Sequence, residues 1–173
     1  MIKRLVVGPL QENCYIVSCG HTCVIIDPGD EANKIIESIA GEVVGIIITH
    51  HHFDHVGVLE SIKNYYNAKV YDYSNLKEEN NIGVFTFRVI PTPGHTDDSI
   101  SVYFKDDNVM FVGDFVFNGS IGRTDLGGNE MDMKKSIETI LSYDDSIRLY
   151  PGHYLSTTIG DERKNLEYFS KMF

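Results

Sequence analysis

The sequence lacks the features of several classes of protein. In its 173 residues no apolar run approaches the ~18 residues of a membrane span, and residues 1–7 contain no long apolar segment like that of a signal peptide. Basic residues are few, with 15 Lys and Arg against 25 Asp and Glu, so the net charge is −10. A nucleic-acid-binding protein requires a basic patch instead. We therefore expect a cytoplasmic protein that binds neither membranes nor nucleic acid.

Cysteine is also scarce, and Cys14, Cys19 and Cys23 are the only three. An odd number of cysteines in a cytosolic protein does not indicate a disulfide framework. We interpret them as small packing residues. One alternative stays open, a redox-sensitive pair, because Cys19 and Cys23 flank the predicted turn Gly20-His21 and could face each other across a hairpin.

The chain has enough apolar residues for one domain over residues 1–173. It is 42% hydrophobic, and a chain of this length buries roughly 70% of the surface that its unfolded form exposes. Segments rich in β-branched residues predict an antiparallel meander over 3–8, 14–18 and 23–26. Apolar residues at helical spacing predict a short helix over 32–39, capped by Asp30. The continuous apolar run 45–49 is typical of a central strand covered on both faces.

In the second half of the sequence, predicted strands and helices alternate. Apolar spacing predicts helices over 58–66 and 133–141 and a last helix from about 161. Strands are predicted over 69–73, 83–90, 99–104, 108–112 and 147–150, with a polar loop at 78–81. Two successive sets of strands and helices indicate two packed sheets with helices outside.

The most informative segment is THHHFDH at 49–55, directly after the apolar strand 45–49. It holds four candidate metal ligands: His50, His52, Asp54 and His55. Imidazole and carboxylate together suit Zn, Fe or Mn, and crowding them is costly unless a cation compensates their lone pairs and charge. His51 points away from its two neighbours if the segment is extended, so we predict that it is not a ligand.

Three later residues occupy equivalent places. His95, Asp114 and His153 each come shortly after a predicted strand, and each is directly preceded by glycine. Glycine allows a sharp turn or a close backbone approach, so these side chains can point from strand ends into a shared cleft. We expect them to converge on the same site as the histidine segment.

The segments THHHFDHVG, PGHT, VGD and YPGH, in this order, resemble the motifs of the metallo-β-lactamase superfamily over nearly the whole chain. The resemblance implies an α/β (α+β) fold, a four-layer αβ/βα sandwich of two mixed sheets with helices outside and the site at one edge. It also implies two divalent metal ions, with Zn expected and Fe or Mn as alternatives. One ion would be held by His50, His52 and His95, the other by Asp54, His55 and His153, and Asp114 would bridge both.

Within the superfamily, QENCY at 11–15, NGSIGRTDL at 118–126 and TTIG at 157–160 resemble small glyoxalase II-like (hydroxyacylglutathione hydrolase-like) enzymes. Glyoxalase II itself continues into a helical domain that supplies part of its glutathione site, and we expect no such domain here, because the sequence ends at Phe173. Arg123 lies at the offset from Asp114 where those enzymes carry a basic residue that contacts the thiol carrier. Arg123, as a partner for a substrate carboxylate, and Tyr154 are the candidate substrate-binding residues.

The resemblance implies hydrolysis of a small acyl-thiol. A hydroxide that bridges two metal ions would attack the thioester carbonyl, with Asp114 holding both ions and Asp54 orienting the hydroxide as the catalytic residues. No Gly-x-Ser-x-Gly motif indicates a serine nucleophile. Two alternatives stay open: an iron-dependent persulfide (sulfur) dioxygenase with the same motifs, and a hydrolase of lactones or other esters.

Other members of the superfamily fit less well. Oxygen-reducing flavodiiron proteins have glutamate in place of His52, and β-lactamases usually replace the bridging aspartate, here Asp114. An RNA-processing nuclease needs extra length and a basic surface. A non-catalytic binding module is disfavoured by the intact set of seven ligands.

Overall fold

The computed structural model describes all 173 residues, and a mixed five-stranded sheet forms its first half. The strands are adjacent in chain order: β1 Ile2–Val7, β2 Glu12–Cys19, β3 Thr22–Ile26, β4 Glu42–Ile47 and β5 Val70–Tyr71. The strands β1, β2 and β3 form the predicted antiparallel meander. Parallel pairs then join β3 to β4 and β4 to β5.

A mixed six-stranded sheet forms the second half. Its strands are β6 Glu79–Ile82, β7 Phe85–Pro91, β8 Ile100–Phe104, β9 Val109–Gly113, β12 Arg148–Pro151 and β13 Thr157–Thr158, in the spatial order β13-β12-β9-β8-β7-β6. Only β9 and β12 are a parallel pair. A separate hairpin contains β10 Val116–Phe117 and β11 Ser120–Ile121.

Five helices complete the molecule: α1 Ala32–Glu37, α2 Phe53–Val56, α3 Leu59–Tyr66, α4 Glu130–Ile140 and α5 Ile159–Met172. The Asn129 side chain caps α4 by accepting a hydrogen bond from the Asp132 amide at 2.8 Å, and Thr158 caps α5 in the same way. None of these helices combines the length and the apolar character that crossing a bilayer requires.

Three apolar cores separate four layers. Alternate side chains of β2 belong to two different cores. Tyr15 and Val17 pack against the opposite sheet, whereas Cys14 and Ile16 pack towards α1 and α3. A third core lies between the six-stranded sheet and the helices α4 and α5. The expected four-layer sandwich of two mixed sheets with helices outside is therefore present.

The two sheets are joined by backbone hydrogen bonds at one edge. The Ile100 amide donates to the Thr49 carbonyl at 2.9 Å, and the Asn13 amide donates to the Gly152 carbonyl at 2.7 Å. The carboxyl ends of β4, β9 and β12 meet at this edge, because β3 and β4 are parallel in one sheet and β9 and β12 in the other. Residues that follow these strands are therefore brought close together.

Several local predictions were wrong. The polar segment 78–81, predicted as a loop, contributes most of β6, because an edge strand needs only one paired side and its polar residues face solvent. The helices α4 and α5 begin before their first predicted residues, at their side-chain caps. Asp30 does not cap α1: the N-cap residue is Glu31, in a left-handed conformation, and Asp30 accepts the Glu31 amide hydrogen instead.

The cysteines do not form a pair across the hairpin. Cys19 lies opposite Thr22, and Cys23 lies opposite Ser18, so the two side chains are on different faces of the sheet. Cys14 and Cys23 are buried in the core under α1 and α3, in agreement with a packing role, whereas Cys19 is exposed.

The aromatic cluster between the sheets generates a stability prediction. Phe111 is buried, with its ring centroid 5.1 Å from that of Tyr15 and 5.2 Å from that of Tyr150. We expect Phe111→Ala to lower the free energy of unfolding by about 3–5 kcal/mol, because it leaves a cavity between the sheets. Urea titration followed by circular dichroism measures this change. The matched control is Phe53→Ala, which removes a solvent-exposed ring and should change stability by less than about 0.5 kcal/mol; equal effects would contradict the assignment of the core.

Candidate metal centre

The seven residues predicted as ligands lie together at the edge where the sheets meet. His50, His52 and His95 form one group, and Asp54, His55 and His153 form another, each with its ligand atoms within 4.8 Å of one another. Asp114 lies between the groups. Its Oδ1 is 3.3 Å from His55 Nε2, and its Oδ2 is 3.5 Å from the Nε2 atoms of both His95 and His153.

Glycines allow the later ligands to approach. Gly113, directly before Asp114, has a φ of 51°, a left-handed conformation that ends β9 with a sharp turn. Directly before His153, a Cβ atom on Gly152 would lie 2.3 Å from Asp114 Oδ1 and 2.4 Å from His55 Cε1. A larger residue at either position would displace the ligands.

Backbone carbonyls orient two histidines of the first group. His95 Nδ1 donates to the Arg123 carbonyl at 2.7 Å, and His52 Nε2 donates to the Leu126 carbonyl at 2.9 Å. In the neutral imidazoles the remaining nitrogens, His95 Nε2 and His52 Nδ1, are then unprotonated and face each other 2.8 Å apart. Two facing lone pairs repel each other, and a cation between them removes the repulsion.

A buried carboxylate supports one histidine from each group. Asp27 Oδ2 accepts hydrogen bonds from His55 Nδ1 at 3.1 Å and from Thr49 Oγ1 at 2.6 Å, and Thr49 Oγ1 in turn accepts from His50 Nδ1 at 3.1 Å. The Thr49 amide donates to Asp27 Oδ1 at 2.8 Å. Ligand atoms of Asp27, His50 and His55 also lie within 4.8 Å of one another, but the hydrogen bonds described above already occupy these atoms. Asp27 therefore supports the two histidines and is not itself a candidate ligand.

Sequence reasoning missed Asp27 and Thr49 as parts of the site. In the sequence, Asp27-Pro28-Gly29 is typical of a turn that ends the third strand and gives no indication of a role in the site. The parallel pairing of β3 with β4 places Asp27 beside the histidine segment. The signal in the sequence is its position directly after the apolar run 23–26, which is the kind of place that the candidate ligands occupy.

The cluster contains buried polar atoms without hydrogen-bond partners. They include His50 Nε2, His55 Nε2 and Asp114 Oδ1, one from each part of the predicted ligand set. A buried polar atom without a partner is costly, and here imidazole nitrogens and a carboxylate oxygen point into one small volume. This donor set fits divalent Zn, Fe or Mn.

The charges of the cluster suit a bridging carboxylate. Burial opposes ionisation of Asp114, but the imidazoles of His153 and His55 beside it outweigh burial and hold the pKa of Asp114 well below its usual value. Burial likewise opposes protonation of His55, yet the neighbouring carboxylates of Asp114 and Asp27 raise its pKa well above the ordinary value. Asp114 is therefore ionised at neutral pH, as a ligand shared by two cations must be.

Glu12 is a second buried carboxyl group that sequence reasoning did not assign to the site. Its Oε1 lies 3.8 Å from His55 Nδ1, and neither of its oxygens has a hydrogen-bond partner. Burial raises the pKa of Glu12 to about 10, against the opposing effect of His55, and the carboxylates of Asp27, Asp54 and Asp114 raise it further. Glu12 is therefore neutral at pH 7.

His51 lies outside both groups. Its Nδ1 is 2.5 Å from Asp98 Oδ2, and its Nε2 is 3.5 Å from Asp72 Oδ2. The side chain thus points away from the cluster, in the direction that strand alternation predicts. His21 lies in the β2–β3 turn, far from the cluster in the fold.

A cleft of about 770 Å³ opens above the ligands. The two candidate substrate-binding residues, Arg123 and Tyr154, both line it, together with His52, Asp54, His95, Asp114 and His153. The site therefore has room for a small molecule directly over the ligand atoms.

The support from Asp27 generates a prediction about metal affinity. We expect Asp27→Asn to weaken binding of Zn²⁺ by about 10–100-fold, because the loss of one acceptor oxygen disturbs the orientation of both His50 and His55. Competition with a chromophoric chelator at fixed pH measures this affinity. Asp107→Asn, in the exposed turn between β8 and β9, is the matched control and should leave the affinity unchanged. Equal affinities for the two variants would show that Asp27 does not support the ligands.

Comparisons with known proteins agree with this geometry. The family model described as the Metallo-beta-lactamase superfamily matches residues 7–79 and 72–153. The chain is 29% identical to the hydroxyacylglutathione hydrolase GloC of Haemophilus influenzae, over 95% of each chain.

Two solved structures are similar over nearly their whole length. The BLEG-1 B3 metallo-beta-lactamase superposes with a TM-score of 0.90 at 31% identity, covering 98% of this chain and 99% of that one. TTHA1623 in a di-iron-bound form superposes with a TM-score of 0.84 at 30% identity, covering 94% of this chain and 97% of that one. From its motifs, its fold and its cluster of histidines and aspartates, the chain belongs to the metallo-β-lactamase superfamily.

Proposed function

We propose that this metallohydrolase cleaves the thioester bond of a small acyl-thiol. The observation that carries the proposal is the pair of candidate ligand groups on either side of the Asp114 carboxyl group, beneath an open cleft. The similarity to the H. influenzae protein named hydroxyacylglutathione hydrolase supports the same substrate class. Two divalent ions, Zn²⁺ or alternatively iron or manganese, would be held by His50, His52 and His95 and by Asp54, His55 and His153, with Asp114 between them.

When bound, divalent ions would supply a water that is deprotonated near neutral pH and would polarise a carbonyl oxygen. The protein's own groups position the reaction. Asp54 Oδ2 lies 3.2 Å from His153 Nε2 and lines the cleft, where it can accept a hydrogen bond from the attacking water and so direct its lone pair. Arg123 and Tyr154 line the same cleft and are the proposed substrate contacts.

The cluster favours a good leaving group. When metal occupies the other ring nitrogens, the second nitrogens of His50, His52, His55 and His95 would still donate to protein acceptors, so these four residues would have no proton to give to a leaving group at the cleft. A thiol has an ordinary pKa of about 8.5 and leaves as the thiolate without protonation. An unstrained amide would require a proton on its leaving nitrogen. Thioesters therefore suit this site better than ordinary amides do.

Two other reactions are the alternatives to this proposal. The similarity to a structure named as a B3 metallo-beta-lactamase makes β-lactam hydrolysis one of them. A persulfide dioxygenase is the other, because His50, His52 and His95 beside Asp114 could hold a single iron.

Metal removal tests the proposal directly. We expect purified protein that holds about two equivalents of metal to hydrolyse S-lactoylglutathione or a related thioester, to lose activity on chelation and to recover when Zn²⁺, Fe²⁺ or Mn²⁺ is returned. Thiol release and metal quantification measure the two properties in parallel. Inactivity on every thioester and lactone, with one bound iron and oxygen uptake on persulfides, would instead support the dioxygenase. Turnover of β-lactams alone would support the lactamase reaction.

The bridging role of Asp114 generates a further prediction. We expect Asp114→Ala to reduce the metal content from about two equivalents to one or fewer and to abolish thioester hydrolysis, because both ligand groups lose the carboxylate that they share. Elemental analysis of protein purified at equal metal supply measures the loss, with Asp107→Asn as the control. Unchanged metal content in Asp114→Ala would refute the bridging role.

A further inference from the structure

We propose that the cleft selects thioesters with an apolar acyl group on a thiol of no net charge, because its rim is apolar and Asp125 neutralises Arg123, its only arginine or lysine. This inference rests on the proposed thioester hydrolysis and specifies the class of substrate.

The rim of the cleft is formed by large apolar side chains that are open to solvent. The exposed fractions are 51% for Leu10, 74% for Phe53, 49% for Leu126 and 67% for Tyr154. These residues come from four separate segments of the chain, yet all four line the same cleft. Exposed apolar residues scattered over a surface are ordinary, but a group of them around a cleft above reactive side chains indicates that a ligand covers them.

The position of Tyr154 is imposed by its neighbours. Its φ of 66° is a left-handed conformation, which is unfavourable for an aromatic residue. Two side chains hold its carbonyl oxygen in place: Arg4 Nη1 donates to it at 2.7 Å and Asn13 Nδ2 at 2.9 Å. Its ring packs edge-on against Phe117, with centroids 5.6 Å apart. A strained residue that is fixed in this way beside a reactive site indicates a positioned binding wall.

The charge of Arg123 is already paired. Its Nε and Nη2 donate to the two carboxylate oxygens of Asp125, both at 2.6 Å. The donors that would bind a substrate carboxylate in the bidentate manner are therefore already occupied. No other Lys or Arg lines the cleft. Arg4 lies in the adjoining groove, where its Nη1 is directed at the Tyr154 carbonyl. The carboxylate of an anionic thiol would therefore have to displace Asp125 from Arg123. An apolar acyl chain would instead bury the rim side chains without breaking any ion pair.

Binding of thioethers, which cannot be hydrolysed, tests the inference on the metal-loaded protein. The probes are S-hexyl and S-methyl derivatives of N-acetylcysteamine, a neutral thiol, and of glutathione, an anionic one. By isothermal titration calorimetry, we expect the hexyl compound to bind about tenfold or more tightly than the methyl compound on the neutral thiol, since its added methylenes cover the apolar rim. We expect glutathione to give no advantage over N-acetylcysteamine.

Matched variants separate the contribution of the apolar rim to binding from that of the Arg123–Asp125 ion pair. Leu10→Ser should weaken binding of the hexyl probes and leave the methyl probes unchanged. Asp125→Asn should strengthen binding of S-hexylglutathione by about three- to fivefold without affecting the neutral probe, because it frees Arg123. Adding Arg123→Gln to Asp125→Asn should cancel that gain, which makes the set a double-mutant cycle.

Hydrolysis of the matching hexanoyl and acetyl thioesters distinguishes failure of this inference from failure of the proposed function. If no thioester is cleaved but the hexyl preference and the Asp125→Asn gain are present, the proposed reaction is wrong and the ligand class stands. If thioesters are cleaved with a clear preference for glutathione in the wild-type protein, and Arg123→Gln or Arg4→Gln removes it, the inference is overturned.

Discussion

The hydrogen bonds of Asp27 are the interactions on which the geometry of the centre depends. This buried carboxylate accepts a hydrogen bond from His55 and is linked to His50 through the Thr49 hydroxyl. It therefore connects the two candidate ligand groups on the side away from the cleft. It lies at the end of β3, and the parallel pairing with β4 brings it beside the histidine segment. Because Asp27 fixes one nitrogen of His55 directly and one of His50 through Thr49, the opposite nitrogens, His50 Nε2 and His55 Nε2, are directed into the ligand cluster.

The segment 114–126 connects metal binding with the shape of the cleft. It contains Asp114, the candidate shared ligand, and the carbonyls of Arg123 and Leu126 orient His95 and His52. The side chains of the same two residues line the cleft. A change of backbone in this segment would therefore alter both the ligand geometry and the substrate wall. Side-chain substitutions that leave the two carbonyls in place can change the wall alone, which separates specificity from metal affinity.

Much of the fold followed from residue patterns, and the misses have physical causes. Alternating apolar residues such as those of β2, and the apolar run of β4, predicted strands, because each face of these strands contacts a core. The edge strand β6 was missed because its residues are mostly polar, and β10, β11 and β13 were missed because two residues are too few to show an alternating pattern. The helix starts at Glu130 and Ile159 precede the apolar positions that signalled α4 and α5, so they were placed too late.

The sequence by itself determined the superfamily and the candidate ligand set, because seven histidines and aspartates in ordered motifs have few other uses. Only the tertiary structure decided which nitrogen of each ring faces the ligand cluster, because that depends on acceptors distant in sequence, such as Asp27 for His55 and the Leu126 carbonyl for His52. It also revealed that Arg123, a carboxylate-binding candidate by its position in the chain, is paired with Asp125. Local patterns specify residue types, whereas long-range packing specifies their partners, and these partners determine the charge and direction of each side chain.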